Sequence, residues 1–212
     1  MIAPDAIVPE NTVLVLLAAG RGTRFGDVGS KLDEPFLNRS LGLHVAVALE
    51  AVAFRERVAV VDGSKLDYGR HGFRILVNPD PARGLASSVR IGTECAKACD
   101  AAAVLIALAD MPRVTAAHVY RLFDAAEGPD SVVASSDGVA PKPPALFGRG
   151  RFDFLMELDG DSGARDLVRA GRHVVTSAAE LIDVDTPEEL ERLRALVHAP
   201  EARTRARARP QS

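Results

Sequence analysis

The sequence predicts a three-layer α/β/α domain, Rossmann-like and built on a mostly parallel sheet. Two fully apolar runs, Thr12–Ala18 and 102–109, are typical of central strands that are covered on both faces. Segments of helical periodicity alternate with these runs and with shorter β-branched runs, as in repeated strand–helix–strand units. A length of 212 residues suits one large α/β domain, to which we assign residues 1–197.

The remaining elements follow in order along the chain. Helices are predicted over 40–53, 87–99, 115–126, 151–158 and 164–170, and strands over 57–61, 73–77, 132–134, 145–147, 173–176 and 181–183. A final helix begins clearly, because Thr186 suits the N-cap, Pro187 the first helical position and Glu189 the capping box. Residues 198–212 are rich in arginine and lack a core pattern. They predict a disordered basic tail, with a nucleic-acid arm as the alternative.

Composition and charge narrow the class of protein. Apolar residues make up 47% and charged residues 26%, which are ordinary values for a soluble chain. The net charge of -3 gives no reason to expect a nucleic-acid partner. The longest apolar stretch, 13–19, is far below the ~20 residues of a membrane helix, and the first residues show no signal-peptide pattern. We therefore expect a cytoplasmic protein without a membrane partner.

The two cysteines, Cys95 and Cys99, lie four residues apart on one face of a predicted helix. A metal ion could bridge them if further ligands arrived, but the five histidines are scattered and supply no pair at ligand spacing. Free, small, buried side chains are the favoured interpretation.

A glycine-rich segment, AGRGTR over 19–24, directly follows the first predicted strand. Glycines at this place let backbone N–H groups turn toward a phosphate, and Arg21, Arg24 and Lys31 add positive charge. The segment lacks both the P-loop pattern and the third glycine of a dinucleotide fingerprint. A triphosphate cradle and an ordinary strand-to-helix turn both remain open on the glycines alone.

The whole stretch LAAGRGTRFG, followed by Lys31 and Pro35, resembles the start of the MobA-like nucleotidyltransferases. These belong to the nucleotide-diphospho-sugar transferase type of fold, with sugar-phosphate nucleotidyltransferases and methylerythritol-phosphate cytidylyltransferase as wider relatives. In that group the loop wraps the triphosphate of an NTP, and the lysine contacts the phosphates. The resemblance implies a set of nucleotide-binding residues: Leu17, Ala18, Ala19, Gly20, Gly22, Thr23, Arg24 and Lys31.

Two acidic segments are candidates for a magnesium site. Asp110 ends the second apolar run and is followed by Met-Pro, which resembles the family's metal-binding D-x-P motif. An aspartate that only caps a turn is the structural alternative. The segment from Asp183 through Asp185 to Thr-Pro-Glu-Glu-Leu resembles a second acidic motif of the family. We assign Asp183 as the second Mg²⁺ ligand and Asp185 to the start of the helix, with the reverse order as the alternative.

Further segments indicate the nucleotide and the acceptor. Residues 78–88 resemble a segment of the molybdenum cofactor cytidylyltransferases (MocA), which adds Asn78, Gly84, Ser87 and Ser88 to the nucleotide site. A turn and helix cap is their alternative role. The L-A-A-G form of the loop is also typical of cytidylyl enzymes, whereas guanylyl enzymes have L-A-G-G. The segment 158–165 resembles a MocA pattern that faces the pterin, and Pro144 is retained where MocA has G-H-P. These resemblances imply an acceptor site: Pro144, Gly160, Asp161, Gly163, Ala164 and Arg165.

The function implied is transfer of CMP from CTP to the terminal phosphate of molybdopterin, with release of pyrophosphate. Arg24, Lys31 and Asp110 would be catalytic, and Mg²⁺ the cofactor. The attacking phosphate is already ionised, so no general base is needed. Alternatives are transfer from CTP, GTP or another NTP to a sugar phosphate, methylerythritol phosphate or similar acceptor, and a non-catalytic nucleotide-binding partner of molybdoenzymes. A dinucleotide-dependent oxidoreductase is disfavoured by the incomplete fingerprint.

Overall fold

A seven-stranded sheet forms the centre of the molecule. The structure is a computed structural model, and it describes residues 6–19, 30–160 and 163–198. The strands are β1 Thr12–Ala18, β2 Pro35–Phe36, β3 Arg39–Ser40, β4 Glu56–Val61, β5 Arg74–Val77, β6 Ala103–Leu108, β7 Val132–Ser136, β8 Pro141–Gly148 and β9 Arg172–Val175. Strands β2 and β3 form a small antiparallel hairpin beside the main sheet.

The order of the strands in the sheet is β5-β4-β1-β6-β8-β7-β9. Every strand of it runs parallel except β8, which is antiparallel to both β6 and β7. The chain builds outward from β1 in one direction to β4 and β5, then returns to place β6 on the other side. The order therefore reverses at β1, and open α/β sheets bind ligands beyond the strand ends at such a point.

Helices cover the sheet and confirm the three-layer prediction. They are α1 His44–Ala48, α2 Leu85–Ala98, α3 Ala116–Asp124, α4 Phe152–Glu157, α5 Gly163–Ala170 and α6 Pro187–His198. The predicted capping box of α6 is confirmed, since Glu189 N donates to Thr186 Oγ1 at 3.2 Å and Thr186 N donates to Glu189 Oε2 at 2.9 Å. Within the described ranges, no helix has both the length and the apolarity to cross a membrane.

The alternating side chains of β1 separate the core into two layers. Leu14 and Leu16 face one layer, whereas Val13 and Val15 face the other, where α2 packs. Helix α2 approaches β1 closely at Gly92, where a Cβ atom would lie 2.4 Å from Val15 Cγ1. The predicted burial of the two cysteines is confirmed for Cys95, whereas Cys99 is only partly buried, and neither forms a disulfide.

A third apolar cluster lies outside the two layers and is called the C-terminal cluster here. It joins the segment before α1 to the segment that enters α6, and its buried members are Phe36, Leu41, Val184, Leu190 and Leu193. The cluster therefore fixes two parts of the chain that are far apart in sequence against each other.

One sequence-based assignment is too long and another is wrong. The predicted helix over 40–53 is present in shorter form, as a 3-10 turn, Leu41–Leu43, followed by α1. The β-branched residues of this segment favour helix weakly, and Val52 turns into the core after the helix ends. The predicted strand over 181–183 forms no ladder. It is a loop crossing the sheet edge, where Val184 N donates to the Asp110 carbonyl at 3.0 Å.

Strand β8 is longer than the predicted 145–147, because it includes a proline-rich beginning. Proline cannot donate to a ladder and is tolerated at edges and irregularities. Both conditions hold here, since β6 pairs only with Ala145–Gly148 and the β7 pairing shifts register after Ala134. The Pro143–Pro144 peptide bond at this place is cis. The predicted basic tail beyond His198 lies outside the described residues.

Candidate active site

The carboxyl ends of β1, β4 and β6 meet at one edge of the sheet, because the register pairs Ala18 with Val61 and Leu17 with Leu108. Three residues that follow these strands, Ala19, Asp62 and Asp110, therefore lie along the same edge. Of the predicted phosphate loop, Leu17 and Ala18 are buried at the strand end and Ala19 is partly exposed. The predicted loop residues Gly20, Gly22, Thr23 and Arg24 lie outside the described residues.

Lys31 joins two acidic residues at this edge. Its Nζ atom lies 2.6 Å from Asp110 Oδ2 and 2.7 Å from Asp185 Oδ1. The lysine begins a 3-10 turn in which Ser30 Oγ accepts a hydrogen bond from Leu32 N. Phe36, which follows this turn, packs in the C-terminal cluster with Val184, which precedes Asp185, so that residues 154 positions apart come into contact.

For both Lys31 and Asp110, burial shifts the pKa in one direction and the neighbouring opposite charge shifts it in the other. Burial lowers the pKa of Lys31, but the carboxylates of Asp110 and Asp185 outweigh burial and raise it. Burial raises the pKa of Asp110, the Lys31 ammonium opposes that rise, and the charges of Asp185 and Asp183 add to it. The arrangement places one ammonium ion between two carboxylates at the edge where ligands bind.

Asp110 has an oxygen that could bind a cation. Its Oδ2 atom accepts from Lys31, whereas Oδ1 is buried without a hydrogen-bond partner in the described part of the chain. A carboxylate oxygen in this state suits a hard divalent ion such as Mg²⁺. Among the residues described, no three Asp, Glu, His or Cys side chains form a ready cation site. An ion bound here would also need phosphate or water oxygens, as Mg²⁺ commonly does.

Asp183 forms an ion pair with a different lysine, Lys142. The Asp183 side chain is 51% exposed, and its Oδ1 atom lies 3.9 Å from Lys142 Nζ. Lys142 Nζ also lies 3.5 Å from Asp137 Oδ2, so it too stands between two carboxylates. The assignment of Asp183 as a metal ligand stays a prediction, and Asp185 is the acidic residue that shares Lys31 with Asp110.

A cavity of about 450 Å³ opens beside the end of β1. Among the described residues it is lined by Ala19, Asp62, Pro81, Ala82, Gly84, Leu85 and Ser88. Three of the predicted nucleotide-binding residues, Ala19, Gly84 and Ser88, are thus brought together. Gly84 has φ +76° and ψ -168°, a backbone conformation that favours glycine.

The other two predicted residues of this segment support the cavity from behind. Asn78 is buried, and its Nδ2 atom donates to Ser87 Oγ at 2.8 Å and to Ser88 Oγ at 2.9 Å. Ser87 Oγ in turn donates to the Gly84 carbonyl at 2.8 Å. These hydrogen bonds fix the turn that leads from β5 into α2.

The predicted acceptor residues lie on two separate segments. The Pro144 carbonyl accepts from Ser135 Oγ at 2.8 Å, and Ser135 Oγ contacts His118 Nε2 at 2.7 Å. Gly160 is exposed at φ +63°, and the neighbouring Asp159 lies 3.8 Å from Arg83 Nη2 in the loop before α2.

The rest of the second acceptor segment runs into α5. Gly163 and Ala164 begin this helix, and Arg165 is exposed on it. Asp161 lies outside the described residues. The contact of Asp159 with Arg83 brings the beginning of this segment close to the cavity at the end of β1, because Ala82 and Gly84 on either side of Arg83 line it.

Two residues of this region were not predicted from the sequence. Asp62 directly follows the predicted strand 57–61, so its place at the ligand edge could have been inferred from the same rule as Asp110. Lys142 gave no signal, because its contact with Asp183 joins β8 to the loop before α6, two segments that are far apart in sequence.

The family profile described as "MobA-like NTP transferase domain" matches residues 14–176. The chain is 31% identical over 197 residues to the purine catabolism protein PucB of Bacillus subtilis, covering 85% of this chain and 94% of that protein. The structure of a Mycobacterium tuberculosis Rv0371c homologue, from Mycobacterium sp. strain JC1, is similar with a TM-score of 0.73 and 26% identity, covering 90% of this chain and 98% of that one. A complex of Mycobacterium tuberculosis Rv0371c with manganese has a TM-score of 0.64 and 27% identity, covering 87% and 98%.

These similarities agree with the α/β fold described above. The chain belongs to the family of the MobA-like NTP transferase domain, and it is a nucleotidyltransferase.

Proposed function

We propose that this chain transfers CMP from CTP to the terminal phosphate of molybdopterin and releases pyrophosphate. The observation that carries the nucleotidyl transfer is the Lys31 ammonium held between Asp110 and Asp185 at the carboxyl edge of β1 and β6. This edge is where an open parallel sheet binds nucleotides. Cytidine is supported by the L-A-A-G form of the loop, whose Ala19 lines the cavity.

The reaction needs alignment and charge neutralisation rather than proton transfer. An ionised oxygen of the acceptor's terminal phosphate attacks the α-phosphorus of CTP. The bond from the α-phosphorus to the oxygen that bridges to the β-phosphate breaks, and pyrophosphate leaves with that electron pair. Lys31 and Arg24 would stabilise the charge that develops on the pyrophosphate. The cavity beside Ala19 would hold the base and so fix the α-phosphorus in line.

We propose that Asp110 holds Mg²⁺ together with Asp183, or with Asp185 as the alternative. The buried Oδ1 atom of Asp110, which has no hydrogen-bond partner among the described residues, fits an ion that prefers oxygen ligands. The manganese in the related Rv0371c structure supports a divalent ion in this family. When bound, such an ion supplies positive charge to the reacting phosphates.

Molybdopterin as the acceptor is supported by the segment 158–165 and by Pro144. Asp159 beside Arg83 places the beginning of that segment next to the loop that leads into the nucleotide cavity. A different phosphorylated acceptor is the second candidate. Lys142 favours this second candidate, because it occupies the position at which MocA enzymes have the glycine of the G-H-P pattern. If molybdopterin is the acceptor, we also expect this chain to contact molybdoenzymes, which would receive the finished cofactor.

The test is pyrophosphate release from each of the four NTPs, with Mg²⁺ or Mn²⁺ and with or without molybdopterin. We expect release with CTP that depends on molybdopterin. Release with a sugar phosphate but not with molybdopterin would assign the second acceptor class. Tight NTP binding without any release would favour a non-catalytic partner of molybdoenzymes.

Asp110→Asn tests the site itself. We expect turnover to fall about a hundredfold or more, because the substitution removes the negative charge that would hold Mg²⁺ while keeping the shape of the side chain. Asp124→Asn is the matched control, since it removes the same charge from an exposed position at the end of α3. Near-normal turnover of Asp110→Asn would contradict the assignment.

A further inference from the structure

The cavity beside β1 contains a carboxylate that the transfer chemistry does not use. Asp62 directly follows β4 and lines the cavity together with Ala19 and Ser88. Its Oδ2 atom is buried, yet no residue in the described ranges donates a hydrogen bond to it. A buried polar atom without a partner is costly in free energy, so this oxygen is suited to accept a donor from a ligand.

The walls of the cavity suit a flat ring. Pro81, Ala82, Leu85 and Ala19 contribute apolar surface, and the volume of about 450 Å³ lies in the usual range for ligand pockets, roughly 300–1,000 Å³. Ligand pockets typically combine such walls with a few polar groups that fix orientation. Among the described residues that line the cavity, Asp62 and Ser88 are the ones whose side chains carry polar atoms.

Ser88 offers the complementary group to Asp62. Its Oγ atom accepts from Asn78 Nδ2 at 2.9 Å, so its own hydrogen points elsewhere. Ser87 Oγ also accepts a hydrogen bond from Asn78 Nδ2, but it donates its own hydrogen to the Gly84 carbonyl and so has no hydrogen left for a ligand. The cavity therefore presents one carboxylate acceptor and one hydroxyl donor to a ligand.

We propose that Asp62 is a specificity-determining residue that accepts a hydrogen bond from the exocyclic amino group of the nucleobase. This inference rests on the proposed nucleotidyl transfer. Cytosine carries an amino donor on C4, whereas uracil, like thymine, carries an oxygen acceptor there. The Asp62 carboxylate facing the uracil oxygen would place two acceptors together with no hydrogen between them. The residue thus selects CTP against UTP, two nucleotides of the same size and charge.

The experiment is calorimetric titration of the full chain with CTP and with UTP in the presence of Mg²⁺. The wild-type protein binds CTP at least about tenfold more tightly than UTP, the discrimination expected of a buried, charge-assisted hydrogen bond. In Asp62→Asn the ratio of the two affinities falls about tenfold or more. The amide can donate to the uracil oxygen, so the affinity for UTP rises while that for CTP falls.

Asp80→Asn is the control, because Asp80 is exposed near the cavity but does not line it, and this variant keeps the wild-type ratio. Binding of UTP by Asp62→Asn shows that the variant is folded. If it does not fold, Asp62→Ser carries the same test, since a hydroxyl both donates and accepts.

Equal affinity of the wild-type protein for CTP and UTP overturns the inference. So does an Asp62→Asn variant that loses both nucleotides equally, which would indicate contact with the shared ribose. Both results leave nucleotidyl transfer standing. Failure of the wild-type protein to bind any NTP or to release pyrophosphate would instead contradict the proposed function.

Discussion

The close contact between α2 and β1 at Gly92 makes a quantitative prediction. Replacing this glycine by alanine adds one methyl group to a buried position of the helix. That Cβ atom would lie 2.4 Å from Val15 Cγ1 and 2.7 Å from Val15 Cγ2, well inside the usual carbon–carbon separation of about 3.5–4.0 Å. Either Val15 must change rotamer in a packed layer or α2 must move away from the sheet.

The expected cost follows from two opposing effects. Overpacking of a core by one methyl group costs about 1–3 kcal/mol, and a contact of 2.4 Å belongs to the upper part of that range, about 1.5–3 kcal/mol. Alanine offsets part of this, because it is favoured over glycine inside a helix by about 1 kcal/mol. We expect Gly92→Ala to lower the free energy of unfolding by about 0.5–2 kcal/mol. For a chain of this size that corresponds to a fall in Tm of about 1–8 °C.

Urea and thermal unfolding of four proteins measure the effect: wild type, Gly92→Ala, Val15→Ala and the double variant. Val15→Ala removes both clashing methyl groups, so the double variant should be more stable than the sum of the single effects predicts, by about 0.5–2 kcal/mol. A Gly92→Ala protein as stable as the wild type, or a coupling energy near zero, would refute this account of the contact. A shift of α2 would also displace Ser88 in the nucleotide cavity, so CTP affinity is a second measurement.

Two further predictions concern the acidic edge and pH. Asp183→Asn should raise the Mg²⁺ concentration for half-maximal turnover about tenfold or more. A shift seen only with Asp185→Asn would instead assign the second ligand to Asp185. For His118, burial, aided by Arg121 and opposed by Glu180, lowers the pKa below 6.5. Below pH 6.5 the imidazole of the unfolded chain binds a proton, whereas the buried imidazole of the folded chain does not. The free energy of unfolding therefore decreases as the pH falls from 6.5 toward the folded-state pKa, by up to about 1.4 kcal/mol per pH unit. Urea unfolding at about pH 7.5 and about pH 5.5 should show this loss in the wild type and a smaller one in His118→Gln, and equal losses would contradict it.

The parts of the fold that follow from local pattern were predictable from the sequence. The apolar runs give β1 and β6, and Thr186 with Glu189 marks the start of α6, because these signals depend only on neighbouring residues. The position of Asp110 at the ligand edge follows from its place at the end of β6. Strand ends and helix starts can therefore be predicted from the residue types at and beside those positions.

The parts that depend on distant contacts were not predictable. The contact between Lys31 and Asp185 arises from the C-terminal cluster, and no local pattern predicts it. The run 181–183 is too short for its apolar residues to distinguish a strand from a buried loop. The prolines of β8 argue against a strand, yet the register shift beside them accommodates one. Asp62 Oδ2, which has no hydrogen-bond partner in the described ranges, belongs to a cavity that the end of β1 and the start of α2 line together, and no local pattern predicts that cavity.

The C-terminal cluster has a consequence for the order in which the molecule is completed during synthesis. The family profile ends at residue 176, before Val184, Asp185 and α6. All strands of the sheet precede that point, so the sheet can assemble while the last segment is still inside the ribosome. Lys31 can contact Asp185 only after that segment emerges and packs beside Phe36 and Leu41. A nascent chain with a complete sheet has therefore not yet brought Asp185, one of the two carboxylates that contact Lys31, to the carboxyl edge of the sheet.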